Sequence, residues 1–375
     1  MDTISNVRIF DGTKFLQETA VSFSDGRIVR LHNGSGGVDM GGCILAPGFV
    51  DIHMHGLLGQ DAMYDGSIEP MAMAEPRFGT TSFCPASITA VDEEIRAYMK
   101  QIHNAMGLQR GARVLGAYLE GPFLAEPTRG GHDAALLSDP QPEHYQRMVQ
   151  GYEKDVARIT LAPERAGGDE LVKMLSEQGI TVSIGHSAAT YEEAVHSFDL
   201  GIRSTTHTCN GMVPLHHRTP GVLCAVLNDE RVKAEIIVDL HHVHPRVIEL
   251  IYRCKGVSGC YFCTDSLEAT GLSDGVYHNG NDPRPVIVKD GIALKDGGLA
   301  GSTLTMDRGL RNLVNGVGIP LEDALRMGTR NPADVLGRRD IGRIEPGACA
   351  DFVLLDEKLE VQATYVRGNC EYSRA

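Results

Sequence analysis

Apolar residues recur in two rhythms along this chain. At the N-terminus they come in short strand-like runs cut by turns. Val7-Arg8-Ile9-Phe10 runs into Asp11-Gly12, and Thr19-Ala20-Val21-Ser22-Phe23 runs into Asp25-Gly26 and then Arg27-Ile28-Val29-Arg30-Leu31. Asp-Gly between such runs is a strong hairpin signal, because the tight turn needs positive φ and these two residues tolerate it. The C-terminus repeats the pattern. Asp351-Phe352-Val353-Leu354-Leu355 reads as a strand, and Thr364-Tyr365-Val366 leads into Arg367-Gly368-Asn369. Neither end holds enough strands for a stable sheet of its own. Residues 1–46 and 341–375 are therefore expected to build one small β-sandwich domain together.

Between them, over residues 47–340, short apolar runs alternate with helical patterns. Val114-Leu115-Gly116-Ala117-Tyr118-Leu119 is one run and Ile180-Thr181-Val182-Ser183-Ile184 another. A helix from Asp169 precedes the second and places Leu171, Met174 and Leu175 on one face, with Gly179 as its left-handed stop. Thr190-Tyr191-Glu192-Glu193 is a capping box opening the next helix. Ile202–Thr206, Ala234–Val238 and Gly259–Cys263 continue the series. Strand then helix, repeated, means parallel βα units. The length suits eight of them, so the central segment is expected to be a TIM-like (β/α)8 barrel. A doubly wound open sheet is the alternative, weakened by the lack of a dinucleotide-type glycine fingerprint after the first such strand.

Composition narrows the function classes. The chain has 375 residues, 42% hydrophobic, enough for a sizeable core. Its formal net charge of −14 argues against nucleic acid or an anionic membrane surface as the main partner. No apolar stretch approaches the roughly 20 residues of a membrane helix, and Met1-Asp2-Thr3 opens no secretory signal pattern. Nine cysteines, with Cys260 and Cys263 the one close pair, do not make a zinc ribbon. They read as reduced, mostly buried thiols of a cytoplasmic protein.

The chemistry lies where strands end. His53 and His55 follow Pro47–Ile52, Glu120 follows Ala117-Tyr118-Leu119, His186 follows Ser183-Ile184-Gly185, His207 follows Ser204-Thr205-Thr206, and Asp265 follows Phe262-Cys263-Thr264. In a barrel these C-terminal ends converge on one face. His53 and His55 are two apart on a strand and project to the same side. One such histidine alone is most often a hydrogen-bonded loop residue; the repetition at strand ends marks a metal site. Imidazole and carboxylate donors suit zinc first, with iron, manganese or cobalt as alternatives. An aspartate beside such a site is placed to act as general base and then general acid.

These words resemble those of the amidohydrolase superfamily and, within it, the N-acetylglucosamine-6-phosphate deacetylases. The resemblance runs through Ala46–Gly56, Leu119-Glu120-Gly121-Pro122-Phe123, Gly185-His186-Ser187, Pro214–Gly221, Thr264-Asp265-Ser266 and Leu299–Met306. It implies hydrolysis of N-acetylglucosamine 6-phosphate to glucosamine 6-phosphate and acetate. It implies Glu120, His186 and His207 as main metal ligands, and His53 and His55 as ligands of a second ion, so one or two divalent ions per subunit. Other amidohydrolases bridge two ions with a modified lysine on the fourth strand; that strand is expected here to end in Glu120, which would take the bridging place. Asp265 matches the catalytic acid/base, and His132 the histidine near the acetamide carbonyl. Asn210, Gly211, Arg218 and His242 match the phosphate contacts, with His241 an alternative to His242. The resemblance further implies a homodimer whose phosphate contacts come partly from the neighbouring chain. Cys209 and Gly211 depart from the usual bulky residue and alanine, so a galactosamine epimer stays open as substrate. Two rivals are a ring-opening amidohydrolase, disfavoured by Glu120 in its word, and a barrel kept only as a scaffold, disfavoured by the complete ligand set.

Overall fold

The computed structural model describes residues 1–280 and 282–374, so the final residue of the expected C-terminal segment lies outside it. Eight parallel strands form its centre: Phe49–Met54, Thr80–Ser87, Ala117–Glu120, Val156–Leu161, Thr181–Ile184, Ser204–Thr205, Ala234–Ile237 and Cys260–Cys263. Each is followed by a helix, from Ile68–Ala74 after the first to Met306–Arg311 after the eighth. The ring closes where the Asp265 N–H donates to the His53 carbonyl at 2.9 Å and Thr264 Oγ1 donates to the Asp51 carboxylate at 2.5 Å. This is the (β/α)8 barrel, and the open-sheet alternative is set aside. Glu120 ends the third strand, not the fourth. The second strand, Thr80–Ser87, contains Pro85, which reads against a central strand; the backbone absorbs it at a register shift beside Met54.

Local signals resolve as the sequence suggests. The helix Gly168–Glu177 buries Leu171 and Leu175, and Gly179 takes φ +80°. The Thr190 capping box is formed in both directions. Of the nine cysteines, only Cys84, Cys260, Cys263 and Cys349 are buried; five are half-buried or exposed, which corrects the expectation of mostly buried thiols. All nine are free.

The two chain ends share sheets. Strand Phe352–Leu355 pairs with Ile44–Pro47 on one edge and Val361–Val366 on the other. A second sheet runs Arg27–His32, Ala20–Ser24, Asp2–Ser5, Val38–Asp39. Between the sheets lies a separate apolar cluster including Ile4, Val21, Phe23, Leu45, Phe352 and Leu354, with Phe23 edge-on to Phe352 at 5.5 Å.

The barrel interior carries an unexpected charge. Arg158, on the fourth strand, is fully buried and pairs with Glu235 of the seventh. Its other donors reach Ser183 Oγ at 2.9 Å and the Thr205 carbonyl at 2.8 Å, and its guanidinium lies 4.3 Å from the Tyr118 ring centroid. A charge taken from water at this depth needs such complete pairing. Between the eighth strand and its helix, an antiparallel sheet is inserted: Gly275–Asn279, Asp282–Lys289, Ile292–Lys295 and Gly298–Leu299. It rises at the C-terminal face of the barrel.

Candidate metal centre and substrate pocket

His53 and His55 leave the first strand on one side, as the two-residue period requires. The chain then turns at Gly56, where a Cβ would lie 2.4 Å from the Gln60 carbonyl and 2.5 Å from the Glu268 nitrogen, so only glycine fits. His186, His207 and Asp265 follow strand ends with φ of 47°, 30° and 50°. Left-handed backbone at non-glycine residues is costly and gathers at functional sites. Here it marks three side chains facing one centre.

The histidine tautomers follow from their partners. His186 Nδ1 lies 2.9 Å from the Thr128 carbonyl and His207 Nδ1 lies 3.2 Å from the Asn210 carbonyl. A carbonyl only accepts, so both Nδ1 atoms carry the proton and both Nε2 atoms present lone pairs. Those two lone pairs sit 3.0 Å apart, and each is 3.1–3.3 Å from Glu120 Oε1. Three acceptors in mutual contact repel unless a cation lies between them. Donors about 2.0–2.1 Å from a tetrahedral zinc stand about 3.3 Å from one another, so the spacing fits a divalent ion.

Glu120 Oε2 faces the other way, 3.2 Å from His55 Nε2 and 3.6 Å from His53 Nε2. The two Nε2 atoms are 3.3 Å apart, and Asp265 Oδ1 lies 3.2 and 3.4 Å from them. His53 Nδ1 donates to Glu235 at 2.9 Å, so its Nε2 is again a lone pair. His55 Nδ1 is buried with no hydrogen-bond partner among the described residues. One carboxylate thus stands between two groups of donors, Glu120-His186-His207 and His53-His55-Asp265.

His132 has the opposite tautomer. Its Nδ1 receives the Thr89 N–H at 3.3 Å and contacts Thr89 Oγ1 at 2.8 Å. The proton is therefore on Nε2, 3.7 Å from Glu120 Oε2. Burial pushes its pKa down to about 3, keeping a neutral N–H donor beside the donor cluster.

A cavity of about 390 Å³ opens on this cluster. His55, Glu120, His132, His186, His207, Asn210, Gly211, His242 and Asp265 all line it. His242 Nδ1 donates to Asp239 at 2.7 Å; burial disfavours its charged form, yet Asp239 holds its pKa above the ordinary histidine value. Of the residues singled out in the sequence, His53 lies behind the cavity wall, fully buried, and Arg218 stands on an exposed loop against His217, outside the cavity. His241 does not line it.

Sequence reasoning missed Glu235 and Arg158, which orient His53 from behind, and Asn279, Asp282 and Lys295 of the inserted sheet, which form one cavity wall. A charge inside an otherwise apolar strand run was the signal for the first pair. The insert announces itself by two Asp-Gly turns, Asp290-Gly291 and Asp296-Gly297, all four residues at positive φ.

The amidohydrolase family matches residues 44–370. The chain is 36% identical to the N-acetylglucosamine-6-phosphate deacetylase of Lysinibacillus sphaericus, over 97% of this chain and 96% of the relative. It is 36% identical to the N-acetylgalactosamine-6-phosphate deacetylase of Escherichia coli O157:H7, over 87% of each. An aspartate-to-alanine mutant of the Mycobacterium smegmatis N-acetyl-D-glucosamine-6-phosphate deacetylase, solved in complex with N-acetyl-D-glucosamine-6-phosphate, superimposes with a TM-score of 0.92 at 30% identity, covering 99% of both chains. The chain belongs to the amidohydrolase family and, within it, to the N-acetylglucosamine-6-phosphate deacetylases.

Proposed function

We propose that this chain removes the acetyl group from N-acetyl-D-glucosamine 6-phosphate, giving D-glucosamine 6-phosphate and acetate, in amino-sugar catabolism or recycling. The observation that carries the reading is Glu120 between two imidazole pairs at the floor of a cavity that also holds His132 and His242. The names of relatives matching nearly the whole chain support it.

Glu120, His186 and His207 would hold one divalent ion, zinc first, and His53, His55 and Glu120 a second. Bound there, such an ion supplies Lewis acidity to the amide carbonyl and makes water a nucleophile near neutral pH. The remaining steps belong to side chains. The Asp265 carboxylate takes the proton from the attacking water and delivers it to the leaving nitrogen, which would otherwise depart as a poor amide anion. His132 donates its Nε2 proton in a hydrogen bond to the carbonyl oxygen as that oxygen gains charge. At the far end His242, with Asn210 and the backbone N–H of Gly211, receives the phosphate. Arg218, on its exposed loop, reaches the phosphate of a neighbouring subunit in a homodimer. Phosphate binding orients the acetamide, so the remote contacts serve turnover as well as affinity.

The division into a barrel, 47–340, and a small β unit, 1–46 with 341–375, accompanies this reading, as does a cytoplasmic site of action. The free thiols support the latter. Among the described residues no helix is long and apolar enough to cross a membrane. The test is a substrate panel: the 6-phosphates of N-acetylglucosamine and N-acetylgalactosamine, both unphosphorylated sugars, and a hydantoin. The first should have the highest kcat/KM. Preference for the galactosamine epimer would reassign the sugar; preference for the hydantoin would overturn the reaction class.

A further inference from the structure

The inserted sheet supplies a wall whose polar groups the reaction chemistry leaves unused. Lys295 is buried, yet its ammonium has one hydrogen bond among the described residues, to Asp282 Oδ2 at 2.7 Å. An ammonium carries three donors, so two N–H groups remain. Asn279, paired with Asp282 across the sheet, has a buried Oδ1 with no partner among the described residues. All three residues line the cavity. Unmade hydrogen bonds at buried donors and acceptors are costly, which marks them as awaiting a ligand.

The wall is also held in place. The Gly280 N–H donates to Asp61 Oδ2 at 2.7 Å and the His278 N–H to Glu268 Oε1 at 2.7 Å. Arg284 clasps Asp282 and reaches the Gly131 carbonyl, adjacent to His132, at 2.8 Å. A spare acceptor beside spare cationic donors, fixed on a rigid sheet, matches a hydroxyl, which donates and accepts at once.

We propose that Asn279, Asp282 and Lys295 form the subsite for the ring hydroxyls of the sugar, and that Lys295 sets sugar specificity by donating to one of them. This rests on the deacetylase reading above. With the acetamide at the His132 end and the phosphate at the His242 end, the hydroxyl-bearing edge of the ring is what remains to face this wall.

The test compares kcat/KM of the metal-loaded wild type, Lys295→Met and Asn279→Ala on N-acetylglucosamine 6-phosphate and its 1-, 3- and 4-deoxy analogues. The wild type should discriminate against at least one analogue by about 10-fold or more, the scale of a charge-assisted hydrogen bond. Lys295→Met should lose about 10- to 100-fold on the parent substrate and within about threefold on the analogue lacking the contacted hydroxyl. A purely structural lysine would lower all substrates by one common factor, and that result overturns the proposal. So does a wild type indifferent to every deoxy analogue, whatever the variants do. A wild type inactive on all N-acetylhexosamine 6-phosphates removes the deacetylase reading and this inference with it; an active wild type with uniform losses removes this inference alone.

Discussion

Glu235 accepts the Nδ1 proton of His53 at 2.9 Å and is itself paired with the buried Arg158. The seventh and fourth strands thereby fix the tautomer of a histidine on the first. Outer partners of this kind orient ligands and tune their basicity. Because Arg158 and Glu235 are both fully buried, removing one charge strands the other. Glu235→Gln should lower unfolding stability by about 3–5 kcal/mol and weaken retention of a second ion at His53. Chemical denaturation with metal analysis checks this; an unchanged midpoint would show that Arg158 is neutralised elsewhere.

Asp265 contacts both His53 and His55 and stands at the mouth of the donor cluster. Asp265→Asn should retain the ion held by Glu120, His186 and His207 while kcat falls by about 10²–10⁴-fold. Steady-state kinetics beside metal content separates the two effects. Near wild-type turnover would defeat the acid/base assignment.

His132 keeps its proton on Nε2 because Thr89 occupies Nδ1. A donor aimed at an oxygen that gains charge acts mainly on the transition state. His132→Ala should therefore cost about 10²–10³-fold in kcat with little change in KM or bound metal. A loss confined to KM would make it a ground-state contact only.

Asp239 raises the pKa of His242 above the ordinary 6.5. The sign follows: the protonated ring is present in full below that value and is lost as pH rises through the raised pKa. Its contribution to phosphate binding, and to the stability of the Asp239 pair, follows the same course. KM for the phosphorylated substrate should climb as pH passes through this window, while His242→Gln should show a KM that is high and flat across it. Parallel pH profiles for the two proteins would remove His242 from the phosphate end.

Much of this site was legible in the sequence. His53, His55, Glu120, His186, His207 and Asp265 follow short apolar runs, and parallel strands bring such positions to one face whatever their separation along the chain. What stayed hidden was hidden for physical reasons. The fourth strand, Val156–Leu161, is interrupted by Arg158, a residue that looks solvent-bound until Glu235 and Tyr118 surround it. The second strand is rich in hydroxyls and carries Pro85, so it lacks an apolar period. Lys295 and Asp282 read as surface charges on a hairpin; tertiary placement over the barrel mouth turns them inward. Arg218 shows the converse, a residue from a family word that stands outside its own chain's cavity.

The central claim is amide hydrolysis that depends on a divalent ion at Glu120, His186 and His207. The direct measurement is acetate release from N-acetylglucosamine 6-phosphate while zinc is titrated into chelator-stripped protein. The rate should rise in proportion to the first bound equivalent and vanish again on chelation, and His186→Ala should bind less zinc and stay inactive. Full acetate release by the stripped protein, or none from protein holding its full complement of zinc, would contradict the account.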